Sequence, residues 1–235
     1  MRGARLLFEG RPLFDRLDFV LEPGQWTCLL GPSGVGKSSL VRLIAGLATD
    51  SIGTVTGDDG RPLAGRIAFM GQEDLLLPWL TALDNVVLGS RLRMTEPARA
   101  EATALLTRLG LGEATHLRPA ALSGGMRQRV ALARTLMENR PVVLMDEPFS
   151  ALDAITRIRL QTLAAEQLRG RTVLLVTHDP LEALRLGHRV FVMTGRPARL
   201  SEPMTPPGNT PRDAADADIL RLQAELLRRL AEEAP

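Results

Sequence analysis

Residues 27–38 read Thr27-Cys28-Leu29-Leu30-Gly31-Pro32-Ser33-Gly34-Val35-Gly36-Lys37-Ser38, a short apolar run that opens into a glycine-rich turn ending in lysine and serine. From Gly31 onward the stretch satisfies G-x-x-x-x-G-K-[ST], and Leu40 to Leu47 continue it as an apolar helical pattern. A strand, a glycine loop and a helix start, in that order, turn backbone N–H groups and the helix N-terminus toward phosphate oxygens. In such a loop Lys37 reaches the β and γ phosphates and the Ser38 hydroxyl is placed to ligate magnesium. The bland alternative is a glycine-rich strand-to-helix turn. Composition weighs against it: the chain has 29 basic residues, and Lys37 is the only lysine among them. Everywhere else arginine serves, so the one lysine marks a place that needs a compact ammonium on a flexible stem.

Two further apolar runs end the same way, each meeting a chemically distinctive residue. Val142-Val143-Leu144-Met145 leads into Asp146 and Glu147, and Thr172-Val173-Leu174-Leu175-Val176-Thr177 leads into His178. Continuous apolar runs predict strands buried on both faces, and functional groups at their ends point to an open parallel α/β sheet with its ligand outside the carboxyl ends of the strands. An acid at such a tip can hold magnesium, and a neighbouring carboxylate can polarise a water for in-line attack on a γ-phosphate. Between the strands, Ala98, Ala102, Leu105, Leu106 and Leu109 keep helical spacing, with Gly110 to close the helix. Met126, Val130, Ala133 and Met137 predict another helix, which Ser123 caps. Leu122-Ser123-Gly124-Gly125-Met126 thereby forms a second serine-and-glycine helix start suited to an anion, although an ordinary cap would read the same. Residues 195–213 read as a loop, and a last amphipathic helix runs from about Ala214 to Glu233.

Composition narrows the function classes. At 235 residues, with 45% apolar and 24% charged residues, the chain is sized for one large domain or a core with an inserted subdomain. It has no apolar run of the roughly 18 to 20 residues that a membrane-spanning helix needs, and residues 1–18 lack the apolar segment of a secretory signal. The single cysteine, Cys28, excludes an internal disulfide and fits a reducing compartment. The arginines are scattered, with no run of five, so nucleic acid is not an expected partner.

Taken in order, the phosphate loop, Gln72, Leu122 to Met126, Val142 to Glu147, Ser150-Ala151-Leu152-Asp153 and His178 resemble the ATP-binding cassette (ABC) family over residues 5 to 195. The resemblance implies an α/β fold: a P-loop NTPase (RecA-like) core with a parallel sheet, an N-terminal antiparallel β portion and an inserted helical subdomain. It divides the chain into an ATP-binding core at 1–72 and 138–195, a helical subdomain at 73–137 carrying the signature motif, and a C-terminal loop and helix at 196–235. It further implies ATP and Mg2+ as cofactors and a head-to-tail dimer with a second copy, one chain's phosphate loop sharing each ATP with the other's signature. By position, Gly31, Pro32, Ser33, Gly34, Val35, Gly36, Lys37, Ser38 and Ser39 hold the phosphates, Ser39 standing where the family commonly has threonine. Ser38, Gln72 and Asp146 attend the metal, while Glu147, His178 and Gln72 match the general base, the switch histidine and the water-sensing glutamine. Ser123, Gly124 and Gly125 face the partner's nucleotide, and Asp153 lies in the loop that communicates across the dimer. The family's adenine-stacking aromatic is most often tyrosine, which this chain lacks. Phe8 is the candidate, with a core phenylalanine as the alternative. Met126 replaces the usual glutamine after the signature glycines.

Leu75-Leu76-Leu77-Pro78-Trp79-Leu80-Thr81 followed by Asp84-Asn85-Val86 resembles the importer branch that handles nitrate, taurine, alkanesulfonates and thiamine pyrimidine precursors. By that resemblance the chain is the separate energising ATPase subunit of a bacterial importer, peripheral on the cytoplasmic face of the inner membrane. Its partners are transmembrane permease subunits and, through them, a periplasmic substrate-binding protein. An apolar docking groove containing Trp79 is expected, whereas Leu76 and Leu77 read better as core of the helical subdomain. Two other readings remain. A soluble ABC ATPase acting on ribosomes or DNA would usually carry two cassettes or a long coiled coil, and a small-molecule kinase would leave Ser123 to Met126 and His178 unexplained.

Overall fold

The structure, a computed structural model, describes residues 1–8, 10–48 and 51–232, without the side chains of Phe8 and Glu232. In chain order the elements are β1 (Arg2–Phe8), β2 (Arg11–Leu17), β3 (Trp26–Leu30), α1 (Lys37–Ile44), β4 (Ser51–Thr54), β5 (Ile67–Met70), α2 (Ala82–Val86), α3 (Leu88–Leu92), α4 (Arg99–Arg108), α5 (Gly124–Met137), β6 (Val142–Asp146), α6 (Ala154–Gln167), β7 (Thr172–Val176), α7 (Pro180–Leu186), β8 (Arg189–Thr194), β9 (Arg199–Leu200) and α8 (Ala217–Glu232). The chain forms two compact units. One comprises Met1–Ile67, Pro141–Glu147 and Arg169–Pro235, and the other Ala68–Arg140 and Pro148–Leu168.

The three apolar runs that end in functional residues are the strands β3, β6 and β7, and they lie side by side. Within the first unit the large sheet runs in the order β6, β7, β3, β8, β9. The register is parallel through Leu144–Leu174, Cys28–Leu175 and Cys28–Val190, and only β9 joins antiparallel. All five residues of β3 are buried, which is why its sequence shows no alternation. Burial of each such Leu or Val side chain contributes roughly 1.5–3 kcal/mol, an upper figure for a compact unfolded chain. Parallel strands place their carboxyl ends on one edge, so the residues after Leu30, Met145 and Val176 emerge together. The smaller sheet is antiparallel, ordered β2, β1, β4. It faces inward with Ala4, Leu6 and Phe14, which are buried, while Arg5 and Leu7 lie exposed between them.

The helices follow the sequence signals for starting and stopping. In α7, Asp179 accepts from the N–H groups of Leu181 and Glu182 at 2.9 and 3.4 Å, and Pro180 occupies the first turn where no N–H is needed. α4 ends where Leu111 N–H returns to the Leu106 carbonyl at 2.8 Å and Gly110 N–H to Thr107 at 2.9 Å. The excursion between β8 and α8 is held to the first unit by Arg212. That side chain is buried and donates to the carbonyls of Leu184, Gly187, Pro206 and Pro207 at 2.6–2.8 Å. α8 then buries Ile219 and Leu226 and packs with α7.

Residues 148–168 group with the helical segment 68–140. The Gln128 side chain of α5 explains part of this, accepting from Ala151 N–H at 2.9 Å and donating to Ser150 Oγ at 3.2 Å. Among the described residues no helix is long and apolar enough to cross a membrane.

Candidate active site

The loop between β3 and α1 takes its shape from two glycines. Gly31 has φ +151° and Gly36, the residue capping α1, has φ +113°. A Cβ on Gly31 would lie 2.3 Å from the Met193 carbonyl oxygen of β8, and one on Gly36 would meet the Phe14 ring at 3.0 Å. Both positions therefore exclude a side chain on conformational and on steric grounds. α1 opens with Lys37 and Ser38 and has no side chain over its N-terminus, so the first-turn N–H groups are directed out of the helix with its positive dipole end.

Lys37 is 9% exposed, and its Nζ donates to the carbonyls of Gly31 at 2.6 Å and Pro32 at 2.9 Å. An ammonium has three donors, so the loop uses two and holds the head group with one more to offer an anion. Burial pulls this ammonium below its usual range, and the carboxylates of Glu147 and Asp146 oppose that shift. The two carboxylates thus partly offset the burial that disfavours its charged form.

Asp146 ends β6 and is 3% exposed. Its Oδ1 is buried and has no hydrogen-bond partner among the described residues. Burial pushes its carboxyl up, against a hydrogen bond with Ser38 and the charge of Lys37. An orphaned carboxylate oxygen beside a serine hydroxyl is an incomplete set of hard oxygen donors, which fits a small divalent cation that also takes phosphate oxygens and waters. Among the described residues no three His, Cys, Asp or Glu side chains cluster into a metal cage.

The next residue, Glu147, has φ +54°, a left-handed conformation unusual for a side-chain-bearing residue. Its N–H donates to the Val176 carbonyl of β7 at 2.9 Å, fixing this turn. The carboxylate meets His178 Nδ1 at 2.5 Å; the Glu147 side chain is 13% exposed and the His178 side chain 68%. Burial pushes the Glu147 carboxyl up, opposed by the charge and hydrogen bond of His178 and by Lys37. A strained, half-desolvated carboxylate with raised proton affinity, oriented by an imidazole, has the makings of a general base. Lys37, Ser38, Asp146, Glu147 and His178 are thus brought together at one edge of one sheet.

The second unit gathers Gln72, Ser123, Gly124, Gly125 and Asp153. Ser123 caps α5, its Oγ accepting from Met126 N–H at 3.2 Å, and Ser123 and Gly124 are exposed. Gly125 lies against the Ala151 carbonyl, where a Cβ would come within 3.2 Å. A cavity of about 420 Å³ is lined by Gln72, Asp74, Gly124, Arg127, Gln128 and Ala151, among others. Asp153 caps α6, accepting from Thr156 N–H at 3.0 Å, and that bond holds its carboxyl below the usual range. The backbone of Phe8 pairs with Arg11 at the end of β1, while the side chain on which its stacking role depends lies outside the described residues. In the segment after Gln72, Leu76 is buried and Leu77 half-buried, whereas Leu75 and Trp79 are 59% and 65% exposed.

Several residues shape this region through contacts that the sequence alone does not declare. Asn85 is fully buried, accepts from Leu77 N–H at 2.8 Å and donates to the Leu77, Leu80 and Thr81 carbonyls at 3.0–3.4 Å, so one amide fixes the loop bearing Trp79. Arg127 and Arg134 of α5 bind the same segment near Asp74. The available signal was three arginines, Arg127, Arg129 and Arg134, on one helix.

The chain is similar to proteins already known. Residues 14–150 match the ABC transporter family. An uncharacterized ABC transporter ATP-binding protein of Haemophilus influenzae is 46% identical, covering 99% of this chain and 98% of the relative. Aliphatic sulfonates import ATP-binding protein SsuB 1 of Rhodococcus jostii is 46% identical over 90% of this chain and 84% of its own, and the protein of that name from Streptomyces avermitilis is 44% identical over 97% and 84%. Among solved structures, the dimeric bacterial ABC transporter cassette MJ0796 superposes with a TM-score of 0.73 at 28% identity, covering 88% of this chain and 98% of the other. A post-hydrolysis dimer of the same cassette bound to ADP and Pi scores 0.72. The chain therefore belongs to the ABC transporter family as one of its ATPases.

Proposed function

We propose that this chain is the ATPase subunit of a bacterial importer for a small anionic solute of the aliphatic sulfonate class, working as a head-to-tail dimer on the cytoplasmic face of the inner membrane. The single observation that carries the chemistry is the 2.5 Å contact of Glu147 with His178 at the edge that also holds Lys37 and Asp146. The sulfonate assignment rests on the names of relatives that align with nearly the whole chain. The exposed Leu75 and Trp79 support a permease docking surface.

In this reading the loop N–H groups of residues 33–36 and the Lys37 ammonium cradle the β and γ phosphates. Ser38 and Asp146 would hold Mg2+, which neutralises charge on the phosphate oxygens. Glu147 takes a proton from the water that attacks the γ-phosphorus in line, and its raised proton affinity brings it closer to working pH than an ordinary glutamate. His178 orients that carboxylate. Ser123, Gly124 and Gly125 serve the nucleotide of the second copy, so ATP binds better to the closed pair than to the open one and thereby biases the conformation.

Two experiments test this. Glu147→Gln should bind ATP and accumulate an ATP-dependent dimer without turnover, so near-normal hydrolysis by that variant would overturn the base assignment. Affinity purification from gently solubilised membranes should recover a multi-span permease and a binding protein that takes up sulfonates. Recovery of a permease selective for nitrate or a thiamine precursor would move the chain to another member of the same importer branch.

A further inference from the structure

We propose that the Asp74–Arg127 ion pair is a strut that sets the position of the Ser123–Gly125 turn according to the position of residues 75–79, which expose Leu75 and Trp79. The proposal rests on the reading that this turn serves a second copy's nucleotide, and adds to it the residues that connect the turn to the partner-facing surface.

The geometry lies wholly within the second unit. Arg127 stands in the first turn of α5, and its guanidinium spans two elements: Nε donates to Asp74 Oδ2 at 2.9 Å and Nη1 to the Leu122 carbonyl at 3.0 Å. Leu122 is the residue immediately before Ser123, so the same planar group touches the loop and the start of the turn. Asp74 is fully used at both oxygens, because its Oδ1 accepts from Leu76 N–H at 3.1 Å. Two turns further along α5, Arg134 donates to the carbonyls of Asp74 at 2.7 Å and Leu75 at 2.8 Å. Any displacement of residues 74–76 is therefore passed to α5 at both ends of one helical face.

The segment is built to be displaced as a body. Leu75 has φ +47°, and Asn85 ties Leu77, Leu80 and Thr81 together, so residues 74–81 form a rigid loop with Leu75 and Trp79 outward. A strained non-glycine residue beside two exposed large apolar side chains is the form of a surface that meets a partner. On the far side, the α5 start is fixed by Gln128 to Ser150 and Ala151. The turn is thus held between two loops, with Arg127 as its link to the one that carries Trp79. Arg127 and Asp74 are positioning residues in this scheme, since neither is placed against the nucleotide.

The test uses the full chain carrying Glu147→Gln, in which ATP should drive dimerisation. Asp74→Asn, Arg127→Gln and the double variant are added to that parent. ATP affinity of the monomer, read with a fluorescent ATP analogue, should stay within twofold, because the phosphate loop is in the other unit. The ATP-driven dimer, read by sedimentation, should weaken about tenfold in each single variant and no further in the double, the mark of two groups acting as one. Acrylamide quenching reports Trp79 selectively, since Trp26 is only 4% exposed. Its accessibility should change on ATP-driven dimerisation of the parent and stop changing once Arg127 is replaced. Arg127→Lys, which keeps the charge but not the fork, should fall between. An unaltered dimer in Arg127→Gln, additive losses, or a Trp79 response that persists would each overturn the strut. A joint fall in thermal midpoint and in monomer ATP affinity would show a merely structural role and overturn it as well. If the Glu147→Gln parent itself fails to dimerise with ATP, it is the underlying assignment of the Ser123–Gly125 turn that fails.

Discussion

Replacing Arg212 tests how the C-terminal segment is held to the ATPase core. Arg212 is 6% exposed, and its guanidinium donates to four carbonyls, those of Leu184 and Gly187 at the end of α7 and Pro206 and Pro207 in the excursion. The backbone bond from Arg212 N–H to the Arg185 carbonyl at 2.9 Å does not depend on the side chain, so the loss in Arg212→Ala is that of the side chain alone. A hydrogen bond from a charged donor contributes about 1.5–3 kcal/mol net, and the four do not add because they share one group. Water entering the vacated space would satisfy part of the carbonyls, which brings the expected cost to about 3 kcal/mol. For a chain of this size that corresponds to a fall of roughly 6 °C in thermal midpoint. Fluorescence of Trp26, buried in β3 of the same unit, reads the transition in a Trp79→Phe background. Arg212→Lys should recover less than half of the loss, because one ammonium cannot reach carbonyls arranged for a planar fork. A midpoint within 1 °C of wild type in Arg212→Ala would refute the claim that this side chain fastens the segment.

Four further outcomes follow from the site and its surroundings. Lys37→Ala should lose most ATP affinity while keeping the wild-type thermal midpoint within a few degrees, measured by titration with a fluorescent ATP analogue. Because burial raises the Glu147 pKa, the acid limb of kcat against pH should lie above the ordinary glutamate value of 4.5. His178 lowers that pKa, so His178→Ala should move the limb further up and slow hydrolysis at least tenfold while ATP still binds. His188 accepts from Trp26 N–H through Nδ1 at 3.0 Å, and burial together with the Arg212 charge lowers its pKa below 6.5. Its folded state resists protonation, so its contribution to stability is complete above about pH 6.5 and is lost as pH falls toward the lower folded value; unfolding at pH 5.5 and 7.5 should show a smaller difference in His188→Gln.

The parts of the site that could be read from the sequence are those where one local stretch carries its own reason. Gly31 to Ser38 specifies strand end, loop and helix start within a dozen residues, and β6 and β7 declare themselves as apolar runs that stop at Asp146 and His178. Such segments are local because the parallel sheet does the long-range work: it brings three strand ends to one edge whatever the intervening sequence. Ser123 was legible for a similar reason, since a cap acts within three residues of itself.

Where the reading stopped, the interactions span long distances in sequence and use residues with an innocent local explanation. Arg127 on a helix surface looks like a solvated charge, yet it pairs with Asp74 across 53 positions. Asn85 sits inside α2, where its low helix propensity counts against it, and its value appears only when the Leu77 to Thr81 carbonyls fold back over it. The same holds for Gln128, whose partners at Ser150 and Ala151 hold residues 148–168 to the helical segment. Motifs that bind a common ligand are constrained by the ligand's shape and so recur at fixed local spacing. Struts between loops are constrained only by where the fold happens to bring their ends. If the Asp74–Arg127 link transmits the position of Trp79, then coupling to a partner is the function least visible in a sequence of this kind, because it resides in pairings that no single stretch contains.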